Sequence, residues 1–94
     1  MLNLYSVYDE KAQHFGYMFF RKTHAEAIRY FSDGARDKQT ILGQHPEDFV
    51  LYHLGTVDEQ NGFVEGVDVV NFLARGSEFK TSEVLNVDSD KSAS

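Results

Sequence analysis

The chain contains no cysteine and no tryptophan, and one proline among its 94 residues. Without thiols there can be no disulfide framework and no thiolate metal centre. Their absence fits a reducing compartment. No apolar run approaches the 18 or so residues of a membrane-spanning helix, and Met1-Leu2-Asn3-Leu4-Tyr5 lacks a basic signal-peptide flank. Also missing are Gly-x-Ser-x-Gly, Gly-x-x-x-x-Gly-Lys and Gly-x-Gly-x-x-Gly, the loops that hold nucleophiles, phosphates and dinucleotides. The four histidines, His14, His24, His45 and His53, show no His-x-x-x-His spacing. His45 with Glu47 and Asp48 is a local cluster, but Pro46 between them points to a turn with solvated acids. Composition and motifs therefore indicate neither an enzyme, nor a metal site, nor a cofactor.

Basic residues are scarce in one half. From Gln39 to Ala74 there is no Lys or Arg but six acids, whereas residues 21–38 carry Arg21, Lys22, Arg29, Arg36 and Lys38. The net charge of −6 opposes indiscriminate binding to polyanions, yet its distribution makes the molecule dipolar.

What is present reads as one α+β domain. Leu2–Asp9 and Tyr17–Arg21 are apolar, β-prone runs joined by a polar loop, hence an antiparallel hairpin. Thr23-His24-Ala25-Glu26 matches a capping box. The helix behind it places His24, Ala27, Ile28, Phe31 and Ala35 on one side and Glu26, Arg29, Asp33 and Arg36 on the other. Gly34 either caps this helix or lies inside its last turn. Residues 39–46 form a connector with Ile41 and Leu42 against the core. Phe49–Val57 is a third strand, Asp58–Gly62 a hairpin turn, and Phe63 to about Val70 a fourth strand with Gly66 as a candidate bulge. Val69–Ala74 is compatible with either a short helix or an extended arm. The expected architecture is an antiparallel sheet of about four strands, β-β-α-β-β, with one helix on one face. Residues 1–76 form the domain, and 77–94, with five serines and four acids from Gly76 onward, a loosely held arm and disordered tail.

Both faces of the first and third strands are apolar. Leu4 and Tyr8 oppose Tyr5 and Val7; Phe49 and Leu51 oppose Val50, Tyr52 and Leu54. A single helix cannot cover both, and a chain this small buries only about 60–65% of its unfolded surface. A homodimer through the second face or a sheet edge is expected; the alternative is that the arm from Val69 to Leu85 folds over that face.

Phe15-Gly16-Tyr17-Met18-Phe19-Phe20 loosely resembles the aromatic strand of an RNA-recognition motif, but lacks its basic start and precedes the helix. Stacking on exposed rings remains physically available. Tyr17, Phe19 and Tyr30 are candidate base-stacking residues, and Arg21, Lys22, Arg29 and Arg36 candidate phosphate contacts. Burial of the rings in core and interface, and an Arg29–Asp33 surface pair, are the competing structural roles.

Four blocks carry a family resemblance: Leu4-Tyr5-Ser6-Val7-Tyr8-Asp9 with Lys11-Ala12, the Phe19-Phe20 pair, Ala27-Ile28-Arg29-Tyr30-Phe31, and His45-Pro46-Glu47-Asp48-Phe49 with Leu51-Tyr52 and Leu54-Gly55. In order and spacing they resemble the small nonstructural protein of gokushoviruses, single-stranded DNA phages of the Microviridae. The resemblance implies a non-capsid protein made in the cytoplasm of the host bacterium, acting when single-stranded genomes are synthesised and carrying a DNA-binding role. It brings no catalytic residues. The paired histidines that a DNA-nicking enzyme needs are absent. Single-stranded DNA, a second copy, and a viral or host replication protein are the expected partners.

Overall fold

The computed structural model describes residues 1–79. It is an antiparallel four-stranded sheet with one principal helix across one face. Strands β1 (Leu2–Asp9) and β2 (His14–Arg21) form the first hairpin, and β3 (Phe49–Val57) and β4 (Val64–Arg75) the second. The order β2-β1-β3-β4 places β1 against β3 at the centre. Helix α1 (His24–Arg36) carries the chain from the β2 edge to β3, followed by the short α2 (Ile41–Gln44) and a 3-10 turn at Pro46–Asp48.

Local chemistry explains each boundary. The capping box is complete: the Thr23 hydroxyl accepts from the Glu26 amide, and the Glu26 carboxylate accepts from the Thr23 and Lys22 amides. Gly34 lies inside the helix, which runs on to Arg36, and the Asp37 amide donates to its carbonyl. Thr40 then caps α2 through the Gly43 amide. Gly43 is there because a Cβ would collide with the Asp37 carbonyl. Leu42 packs against the core, but Ile41 points outward, 68% exposed, contrary to the expectation that both would be buried. In the second hairpin the Asp58 amide donates to the Phe63 carbonyl, and Gly62 takes the positive φ of 79° that closes the turn.

Two strands are longer than the sequence indicates. β2 begins at His14, because the Asp9 carboxylate holds the Lys11 and Ala12 amides in a tight turn. Val69–Ala74 is extended: it completes β4, with Phe72 opposite Tyr52 and Ala74 opposite Leu51. Irregular register occurs on both sides of Tyr52–His53, next to the close pairing of Gly55 with Gly66.

The core lies under the helix. Tyr5, Phe19, Leu51 and Ala74 from the four strands meet Ala27 and Phe31 from α1. Gly76–Phe79 forms a last 3-10 turn that lays Phe79 edge-on against Phe31, with centroids 6.1 Å apart. The packed body thus extends past residue 76, on the helix side. Within the described residues the chain after β4 leaves the other sheet face uncovered, and residues 80–94 of the expected arm and tail lie outside them.

Polar groups at the edge of the core are partnered. The Tyr5 hydroxyl and His24 Nδ1 share a hydrogen bond at 2.7 Å. His53 sits between two amides: its Nε2–H donates to Asn3 Oδ1 at 3.1 Å, and its Nδ1 accepts from Asn71 Nδ2 at 3.4 Å. This arrangement selects one neutral tautomer. Burial, with a smaller contribution from neighbouring His24, lowers the His53 pKa.

Two outcomes are expected. Phe31→Ala should cost about 3–5 kcal/mol in urea denaturation, comparable to the whole stability of a domain this small, while Ile41→Ser should change it by less than about 0.5 kcal/mol. Since the unfolded chain protonates His53 more readily than the folded one, stability should be complete above about pH 6.5 and decline as pH falls below it. His53→Gln should flatten that decline between pH 7.5 and 5.5. An equally steep profile in the variant would place the proton elsewhere.

Candidate functional site: an aromatic and basic strip beside the helix

Alternation along β2 puts Tyr17, Phe19 and Arg21 on the helix side, where α1 adds Tyr30. Tyr17 and Phe19 stack with centroids 5.8 Å apart, and Phe19 lies 4.8 Å from Tyr30. The Tyr30 hydroxyl donates to the Tyr17 hydroxyl at 3.2 Å. That bond, aided by burial, raises the Tyr30 pKa, so the phenol stays neutral. Arg21 closes the strip. Its guanidinium carbon stands 4.4 Å from the Tyr30 centroid and 5.4 Å from that of Phe19, in cation–π range of both. It also donates to the Phe20 carbonyl at 2.6 Å. Lys22 follows, exposed, its amide tied to Glu26.

The seven candidates therefore separate. Arg21, Lys22, Tyr17 and Tyr30 form one accessible strip, with Tyr17 61% and Tyr30 39% exposed. Phe19 is its floor: at 5% exposure it belongs to the core and has no free face for a base. Arg29 is exposed midway along the helix, and no ion pair joins it to Asp33 among the described residues. Arg36, about 18 Å from the helix start, lies over Phe79 at 5.8 Å. The basic residues thus run along the helix instead of clustering.

The opposite sheet face carries rings outside the set of candidate site residues. Tyr8, Phe15, Tyr52 and Phe72 form a chain of ring contacts across all four strands, with centroids 4.8–6.3 Å apart. Phe15, Met18, Phe20 and Phe72 on this face are 38–54% exposed. Phe72 had no clear linear signal, because the run from Val69 to Ala74 is too short to separate strand from helix by period. One end of the sheet is clamped by Arg75, which makes a bidentate pair with Glu10 at 2.7 and 3.0 Å. That pairing lowers the Glu10 pKa and raises that of Arg75.

His45, Glu47 and Asp48 bring ligand-type atoms within 4.8 Å of one another. Their place in the Pro46 turn is explained by structure: the Asp48 amide donates to the His45 carbonyl, and the Asp48 carbonyl accepts from Glu10. No helix among the described residues is long and apolar enough to cross a membrane.

Comparison with known proteins agrees with the resemblance drawn from the four sequence blocks. The chain is similar to Protein ORF5 of Chlamydia phage 1, a gokushovirus of the Microviridae, at 36% identity over 85 residues. The similarity covers 84% of this chain and 88% of that protein. No solved structure matches it. A family model described as Phage ORF5 protein matches residues 2–79, the whole of the sheet and helix described above, and the chain belongs to that family.

Proposed function

We propose that this phage protein is a non-enzymatic accessory factor in single-stranded DNA synthesis. It would act in the cytoplasm of the host bacterium as a homodimer that binds single-stranded DNA weakly. The observation that carries the reading is the juxtaposition of Arg21 and Lys22 with two accessible rings, Tyr17 and Tyr30. A base stacked on such a ring contributes about 1–3 kcal/mol regardless of sequence, and the cations meet the neighbouring phosphates. Arg29 extends the path along α1; Arg36 is a more distant contact.

The dimer rests on the open face, whose exposed rings make a patch of the kind that marks an interaction surface. The strip lies on the helix side, so pairing through the open face would leave both strips outward. Two weak sites on one particle then act together on one strand. The local basic strip also reconciles polyanion binding with a net charge of −6. A second reading, an interaction module that binds a replication protein and no DNA, is favoured by the acid-only stretch from Gln39 to Ala74.

Fluorescence anisotropy with a labelled 20-nucleotide oligothymidine tests the first reading. Two or three phosphate contacts imply about tenfold weaker binding at 200 mM than at 50 mM salt. Arg21→Glu/Lys22→Glu should abolish binding, and Tyr17→Ala should weaken it at least about fivefold. Absence of binding at low salt by the folded protein would reject DNA contact and leave the second reading. In sedimentation velocity the wild type should be dimeric and Phe20→Lys/Phe72→Lys monomeric; a wild-type monomer at 100 μM, roughly the weak end of specific association, would reject the dimer.

A further inference from the structure

Next to the strip, the helix side holds a cleft of about 680 Å³ between the first hairpin, the second half of α1, and α2. Its size falls within the range of ligand pockets, which is about 300–1,000 Å³. Its floor is apolar, formed by Val7, Phe31, Leu42 and Phe49. Three carboxylates line it, Asp9, Asp33 and Asp37, and none of its lining residues is Lys or Arg. Two of these carboxylates are held in place by backbone amides: Asp9 Oδ1 accepts from Lys11 and Ala12, and Asp37 Oδ1 from Gln39. The Asp33 side chain makes no hydrogen bond or ion pair with another described residue. An apolar floor flanked by three carboxylates repels nucleic acid and other anions. It favours a ligand that combines apolar groups with cations.

We infer that this cleft docks a basic amphipathic segment of another protein, with a Leu- or Phe-type side chain on the Phe31–Leu42–Phe49 floor and Lys or Arg side chains on Asp9, Asp33 and Asp37. The inference stands independently of DNA binding. It assigns a peptide-binding role to a surface separate from the open sheet face. Tyr17 and Tyr30 form the wall shared with the basic strip, so a docked segment would lie alongside any bound strand.

The test uses the full chain and a labelled 12-residue peptide of Lys and Leu arranged as an amphipathic helix, beside its Glu/Leu counterpart. The Lys peptide should bind and the Glu peptide should not. Asp33→Asn/Asp37→Asn should weaken binding by up to about tenfold, the scale expected for two solvent-exposed charge contacts. Asp58→Asn/Glu59→Gln, which removes the same charge in the distant hairpin turn, should leave it unchanged. Ile41→Ser, at the exposed lip, should weaken it with no loss of fold by circular dichroism. Equal weakening by both charge neutralisations would reduce the effect to net charge and overturn the proposal. So would equal binding of the Glu peptide, no binding at low salt, or amide shifts confined to the open sheet face in NMR titration. Oligothymidine binding measured on the same variants keeps the two readings apart: loss of peptide binding with DNA binding intact concerns the cleft alone.

Discussion

Everything in this fold follows from one helix having to shelter one face of a sheet that is apolar on both. Phe31 enters between Tyr5, Phe19 and Leu51, and burial of these few large side chains is the main favourable contribution available to so short a chain. The helix is held at the correct end by the Thr23–Glu26 capping box, one residue beyond the end of β2. Strand alternation then sets the rest. Each large side chain placed beneath the helix at Tyr5, Phe19 or Leu51 sends a neighbour, Leu4, Phe20 or Tyr52, to the side without cover.

Charge is arranged around the same layout. The cations of residues 21–36 follow the helix and its entry, whereas the carboxylates collect at the α1–α2 corner and along the second hairpin. The helix side therefore presents two unlike surfaces in contact, one suited to phosphate and one to ammonium or guanidinium. Tyr17 and Tyr30 form their common border.

Much of the architecture was legible in the chain because it rests on local rules. The capping box, the Asp58–Gly62 turn and the period-2 runs each determine a boundary without knowledge of the remainder. Other features depend on where separate segments meet. The residues Tyr17, Phe19 and Arg21 share a face by parity, but only the position of α1 makes Phe19 a floor and leaves Tyr17 open. Ile41 and Leu42 are alike as residues, and only the axis of the Thr40-capped turn sends one outward. The cleft draws on four separate segments and has no linear signature. Phe72 was obscured for a simpler reason: six residues from Val69 to Ala74 are too few to distinguish a strand from a helix by period.

The two outer strands of an open sheet carry unpaired amides and carbonyls, which invites uncontrolled pairing with other chains. β4 is such an edge, and Val64, Val69 and Val70 on it are 41–74% exposed. Interspersed among them are Glu65 and Asp68, in a stretch without a compensating cation. Their mutual repulsion acts as a gatekeeper against stacking of one molecule's edge on another's. The acid bias of this half thus favours colloidal stability. With a sequence isoelectric point near 5.0, the net charge that keeps copies apart vanishes as pH approaches that value, while the hydrogen-bonding edge remains intact.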